Sequence, residues 1–153
     1  MQLTRTDSRD TRFRQLAAAL EEELWLRDGE AAKERAIVNE IGFLPNAIVA
    51  TVEDEPIACG AFHMIKAGCM EIKRMYVLPA FRRRNAATAV LTALEQWATE
   101  MGFQRALLET GLNQPDAIAF YQRNGYQQIP LFGAYTSNDN SICFEKILLP
   151  KQV

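Results

Sequence analysis

The sequence predicts an α+β domain in which a mixed, mostly antiparallel sheet of about six or seven strands is flanked by about four helices. Three observations lead there. Short runs rich in β-branched and aromatic residues recur between polar turns in the middle and at the end of the chain. Apolar residues repeat at helical spacing near 13–24 and again near 87–101. Between 71 and 110 a strand, a long helix and a second strand follow one another, which calls for a parallel pair joined by a right-handed crossover. With 153 residues and 48% hydrophobic content, the span 1–153 reads as one domain with material for a single core.

Taken in order, Leu3 to Arg5 suits a short edge strand, and Asp7-Ser8 carries helix-cap chemistry. Phe13, Leu16, Ala17, Leu20 and Leu24 fall on one face of a helix running to about Leu26, with Arg12, Glu21, Glu22 and Glu23 on the solvated face. Arg27-Asp28-Gly29 ends it. Ala31 to Ile41 has helical composition with a weak apolar stripe. Ala47 to Val52 and Ile57 to Ile65 are strands of a hairpin around Glu53-Asp54-Glu55-Pro56, and Lys66-Ala67-Gly68 turns the chain into the next strand. Three neighbouring strands with short links favour an antiparallel meander.

That third strand opens the central stretch, EIKRMYVLPAFRRRNAATAVLTALEQWATEM. Glu71 to Val77 is a strand that Leu78-Pro79 terminates, because proline has no N–H for the ladder. Asn85 is a suitable N-cap, its side-chain oxygen placed to accept from the first turn. Ala87, Val90, Leu91, Leu94, Trp97, Ala98 and Met101 then mark a helix that Gly102 stops. Free first-turn N–H groups, the positive end of the helix dipole and Arg82, Arg83 and Arg84 converge here, while Ala86, Ala87 and Thr88 leave the backbone approachable. The combination suits an anion, above all a phosphate. Neither GxxxxGK[ST] nor GxGxxG is present.

Arg105 to Thr110 is the second strand of the parallel pair. Pro115 fits the first turn of another helix, capped by Asn113 or Gln114, with Ala117, Ile118 and Tyr121 on one face. Asn124-Gly125 supplies its left-handed stop and Tyr126 packs back over it. Tyr126 to Ile129 and Ser141 to Leu148 are the last strands.

Composition narrows the function. A formal charge of −2 argues against a nucleic-acid binder. Cys59, Cys69 and Cys143 show no CxxC spacing and read as reduced, buried thiols of a cytoplasmic protein. His63 is the only histidine, which removes a multi-histidine metal site and argues against a Ser-His-Asp hydrolase. Met64, Met70 and Met75 read as core fillers, so no metal is expected. No long apolar run suggests a membrane partner.

Arg82-Arg83-Arg84-Asn85-Ala86-Ala87 resembles the Q/R-x-x-G-x-G/A signature of the GNAT acyl-CoA-dependent N-acyltransferases, with Asn85 where glycine is usual. Ala117-Ile118-x-x-Tyr121-x-x-x-Gly125-Tyr126 is similar to the family's A-I-x-L-Y-x-x-x-G-F helix, with Gln114 where asparagine is common. The run LETG-x-x-Q-P-x-A-I-x-x-Y resembles a bacterial branch with mostly unassigned substrates. The resemblance covers roughly residues 47 to 148. It implies the GNAT fold, with a parallel pair that splays at a cofactor cleft, and acetyl-CoA as cosubstrate. By the same resemblance, Arg82 to Thr88 would hold the pyrophosphate, and Met75, Tyr76 and Val77 would hold the pantetheine arm through backbone atoms. Gln114 would adjoin the cofactor, and residues 30–42 would cover the acceptor side.

The implied reaction is acetyl transfer to a primary amine of a small molecule, by direct attack in a ternary complex. An alkyl ammonium titrates near ~10, so a group must take its proton. Tyr121 matches the position that is commonly the acid for the departing thiolate. Glu71 matches the catalytic glutamate of the histone-acetylating members and is preferred as base over Glu109, which ends the neighbouring parallel strand. A structural reading pairs Glu71 with Lys73 or Arg74. A protein amine, a longer acyl group and an acyl-CoA-binding sensor without turnover stay open as alternatives, as does a homodimer.

Overall fold

Seven strands form one sheet: β1 (Gln2–Thr6), β2 (Asn46–Val52), β3 (Glu55–Lys66), β4 (Cys69–Val77), β5 (Arg105–Gly111), β6 (Gln127–Ile129) and β7 (Ser141–Ile147). The computed structural model describes residues 1–33 and 42–149. The strand order is β1-β2-β3-β4-β5-β7-β6, antiparallel throughout except for β4 and β5. Three helices flank the sheet among the described residues: α1 (Thr11–Asp28), α2 (Ala86–Glu100) and α3 (Pro115–Arg123). Residues 30–33 are also helical and lead into 34–41, so most of the 31–41 expectation lies outside the described residues. The meander and the parallel crossover are as the sequence predicts.

Period-two alternation divides the sheet into two faces. Ala47 and Val49 of β2 pack with Phe13 and Leu16 of α1, whereas Ile48 and Ala50 pack with Val90, Leu91 and Leu94 of α2 and with Tyr121 of α3. The apolar stripe of α1 is used in two ways. Phe13 and Leu16 enter the core, while Leu20 and Leu24 line a cavity. The expected helix ends shift slightly. Asp10, and not Asp7 or Ser8, caps α1 by accepting from the Arg12 N–H at 2.9 Å. Ser8 Oγ instead accepts from the Leu44 N–H at 2.7 Å, which ties the start of the chain to the entry of β2.

The parallel pairing of β4 and β5 stops after Cys69↔Arg105, Met70↔Ala106 and Glu71↔Leu107. Beyond that point β4 follows β3 alone, and its register slips between Ala61↔Lys73 and Cys59↔Tyr76. The slip is a bulge: Arg74 takes φ 59, and its carbonyl accepts from the Cys59 thiol at 3.3 Å. Opposite the bulge stands Gly60. A Cβ there would lie 2.5 Å from Met75 Sδ, 2.8 Å from Leu94 Cδ1 and 3.0 Å from Val90 Cγ1. Gly60→Ala is therefore expected to destabilise the fold by about 1–3 kcal/mol through overpacking, read as a lower urea midpoint. It should also displace Met75, with weaker cofactor binding as the second readout.

Candidate active site

The turn after β4 is built as a cradle. Arg83 has φ 65 and Asn85 has φ 63, so two residues of one tight turn lie in the left-handed region that asparagine tolerates better than most. Asn85 occupies the N-cap position of α2 as expected, yet its side chain makes no cap bond there. The N–H groups of Ala86, Ala87 and Thr88 lie in the first turn of α2, where no intrahelical acceptor takes them and another acceptor can. A groove of about 370 Å³ runs along this turn, bordered by Met75, Tyr76, Val77, Arg82, Arg83 and Asn85 to Thr88.

The three arginines are not equivalent. Arg82 donates to the Val77 carbonyl at 3.0 Å and to Glu23 Oε2 at 2.7 Å, with its guanidinium over the Tyr76 ring. Its charge is compensated by α1, so it braces the turn. The hydrogen bond with Arg82 holds the Glu23 carboxyl below its usual range. Arg84 lies over Phe81 and does not border the groove. Arg83 is exposed, borders the groove and has no ion-pair partner among the described residues. The glutamates of α1 are thus not simply a solvated face, since Glu21 also pairs with Arg74 at 2.9 Å.

On the other side of the β4–β5 opening lies a cavity of about 590 Å³. Leu20, Leu24 and Trp25 of α1, Ile72 to Met75 of β4, Glu109 and Thr110 of β5, and Gln114 line much of it. Gln114 begins α3 without a side-chain cap bond and accepts from the Thr110 hydroxyl at 3.2 Å. It sits on this wall and not in the groove. Met75, Ala117 and Tyr121 border both spaces.

Tyr121 stands at that junction. Its ring is held by Phe120 and Tyr126 at centroid distances of 5.2 and 5.7 Å. Its hydroxyl has no hydrogen-bond partner among the described residues. The only side-chain polar atom among them that is sealed from solvent without a partner is Asn138 Nδ2, so the Tyr121 hydroxyl opens into the cleft. Burial, and behind it the Glu109 charge, pushes the phenol above its usual range and keeps it protonated.

The two carboxylates occupy different settings. Glu109 is half-buried, lines the cavity and accepts from the Ser141 hydroxyl. Glu71 is 5% exposed and does not line it. Its Oε1 meets His63 Nε2 at 3.0 Å, and its Oε2 accepts from the Tyr135 hydroxyl at 2.6 Å and from Lys73 Nζ at 3.4 Å. Burial raises its carboxyl, but the His63 and Tyr135 hydrogen bonds and the Lys73 charge outweigh that and leave it below the usual range. Burial lowers Lys73, with the Glu71 charge opposing. The Glu71–Lys73 pairing is as predicted; His63 and Tyr135 are additional.

This geometry has recognisable relatives. The model of the acetyltransferase (GNAT) family matches residues 10–126. The chain belongs to the GNAT acetyltransferase family. A Klebsiella pneumoniae structure provisionally described as an acyl-CoA N-acyltransferase is 32% identical, covers 96% of this chain and 98% of its own, and superposes with a TM-score of 0.77. An IAA acetyltransferase of Azospirillum brasilense is 33% identical over 102 residues, 66% of this chain and 67% of that protein. An aminoalkylphosphonate N-acetyltransferase of Salmonella typhimurium is 34% identical over 68 residues, 44% of each chain.

The GNAT fold accounts for the chain as an acyltransferase whose family uses acetyl-CoA as cosubstrate. Sequence reading missed two members of the Glu71 cluster. His63 had a signal: it faces Glu71 directly across the β3–β4 hairpin, a pairing that counting back from the Lys66–Gly68 turn would have found. Tyr135 had none, because it comes from a 3-10 turn (Gly133–Tyr135) remote in sequence. No helix among the described residues is long and apolar enough to cross a membrane.

All three cysteines are buried. Burial pushes the Cys59 thiol up to about 12 and the Cys143 thiol up to about 11. A thiol reagent such as DTNB is therefore expected to find no fast-reacting protein thiol in the native state, and all three cysteines after denaturation. Rapid native labelling of even one would contradict this packing.

Proposed function

We propose that this protein transfers the acetyl group of acetyl-CoA to the primary amine of a small molecule by direct attack in a ternary complex. One observation carries the reading. Tyr121, whose hydroxyl has no partner among the described residues, stands where the groove beside the arginine turn meets the cavity between α1 and β5. A thioester laid along β4 would bring its sulfur to that point. The β5-facing main chain of β4 from Ile72 onward is free of β5, which suits a pantetheine arm. The N–H groups of Ala86 to Thr88, with Arg83, suit the pyrophosphate. Acetyl-CoA supplies the activated acyl group when bound.

In this reading Glu109, the carboxylate on the cavity wall, holds the acceptor ammonium and takes its proton, in place of Glu71, the base preferred from the sequence, whose oxygens are taken up by His63, Lys73 and Tyr135. Tyr121 donates a hydrogen bond to the sulfur as negative charge develops. Thiols titrate near ~8.5, and this phenol is held above its usual range, so complete transfer would be uphill. A hydrogen bond that strengthens in the transition state is sufficient, and the thiolate can then be protonated from the amine.

Three variants test the assignment with the best acceptor from an amine panel. Tyr121→Phe should lower kcat by roughly 10²-fold or more, at least about 2.7 kcal/mol of barrier, with Tm and acetyl-CoA affinity near the parent. Stability should hold because the hydroxyl has no partner among the described residues to lose. A stable variant at the parent rate, with chemistry rate-limiting, would return Tyr121 to a purely packing role. Glu109→Gln should depress kcat/KM without changing CoA affinity. Arg83→Ala should weaken acetyl-CoA binding by up to about 1.5–3 kcal/mol, less as salt rises. An unchanged Kd at low salt would remove Arg83 from the cofactor site.

A further inference from the structure

An ammonium on Glu109 accounts for one end of the acceptor; the cavity describes the other. Its volume of about 590 Å³ lies in the range that holds a drug-sized molecule, so an amine as small as ethanolamine would leave most of it to water. Leu20, Leu24 and Trp25 of α1 form an apolar wall, and Ile72 and Met75 of β4 add to the apolar surface.

The polar groups of the same lining are largely engaged within the protein. Arg74 pairs with Glu21 at 2.9 Å. Lys73 Nζ donates to the Tyr135 hydroxyl at 2.5 Å and to Glu71 Oε2 at 3.4 Å. The Thr110 hydroxyl donates to Gln114 Oε1 at 3.2 Å, and Gln114 Nε2 donates to Asp28 Oδ2 at 3.5 Å. Glu22 and Lys33 are exposed, where water and salt screen them. An anionic or polyhydroxylated acceptor would have to break internal hydrogen bonds or rely on one screened lysine. An apolar body breaks none.

Among the apolar residues Trp25 stands apart. It is 51% exposed, lies in the last turn of α1 and has no ring partner among the described residues. A half-wetted indole gains from being covered, and a second ring adds the preference of aromatic pairs to the area buried. That turn of α1 is held in place, since Arg27 donates to the Asn113 carbonyl at 3.4 Å and Asp28 accepts from Gln114. The wall is therefore fastened to the start of α3 and does not depend on the ligand for its position.

We propose that the acceptor is an arylalkyl primary amine, with its ammonium at Glu109 and its ring against Leu24 and Trp25, and that Trp25 sets this preference. The amine nitrogen forms the amide bond as the thioester C–S bond breaks. Of the two protons the ammonium loses, one ends on the thiol and one in solvent.

This substrate class rests on the acetyl-transfer reading, and its test separates the two. Thiol release from acetyl-CoA is followed with phenethylamine, tryptamine, ethanolamine, aminoethylphosphonate and a short peptide with a free N-terminus. Binding of phenethylamine to the CoA-loaded protein is measured by calorimetry. The kcat/KM for the two arylalkyl amines is expected to exceed the others by roughly tenfold or more. Trp25→Ala should raise both the KM and the calorimetric Kd for phenethylamine about tenfold, with kcat changing less. Its Tm and CoA affinity should stay near the parent, because Trp25 is exposed and does not border the groove. Trp25→Phe should recover much of the loss. A preference for ethanolamine, the phosphonate or the peptide, or a parent-like KM in Trp25→Ala, would overturn the proposal and leave the acetyl-transfer reading standing. Absence of thiol release with every amine would instead overturn that reading. Trp25-dependent calorimetric binding would then uphold the arylalkyl amine as the ligand of this cavity, and its absence would overturn both.

Discussion

The early parting of β4 and β5 is the constraint on which the site depends. Parallel strands normally stay paired because each unpaired N–H or C=O must find another partner or water. Here pairing ends at Glu71↔Leu107, and the Arg74 bulge bends β4 away while β3 continues to satisfy its other edge. Gly60 makes this geometry compatible with a packed core, since Met75 and two side chains of α2 occupy the space a Cβ would need. The opening that results leaves main chain bordering the groove and polar side chains, Lys73, Arg74, Glu109 and Thr110 among them, lining the cavity.

Electrostatics then assigns the cations. Glu23 neutralises Arg82 and Glu21 neutralises Arg74, so helix α1 is fastened to both ends of the opened segment. Exposed pairs of this kind contribute little stability by themselves. Their consequence is positional: they fix the turn and leave Arg83 and the first amides of α2 facing the groove. The proposed anion site would thus be made from backbone geometry as much as from charge.

The Glu71 cluster follows a different rule. Burying a carboxylate and an ammonium is costly unless every lone pair and proton is used. Tyr135 and His63 use them, which ties the loop before β7 to the centre of the sheet. A satisfied polar network is rigid and holds one arrangement.

The sequence by itself determined the order of the described elements, the antiparallel meander, the parallel crossover, the start of α2 at Asn85 and the placement of Tyr121 on an inward face of α3. Those features are written in local periodicity and turn chemistry, which act over a few residues. The family followed from two motifs of the same local kind. Only the tertiary structure decided which arginine at the groove keeps an uncompensated charge among the described residues, because Arg82 is claimed by Glu23, 59 residues away in sequence. It also decided which carboxylate reaches the cavity. Glu71 and Glu109 look alike in their strands, and their difference arises from Tyr135, 64 residues beyond Glu71. Contacts of that range depend on the packing of whole elements, and no spacing along the chain encodes them.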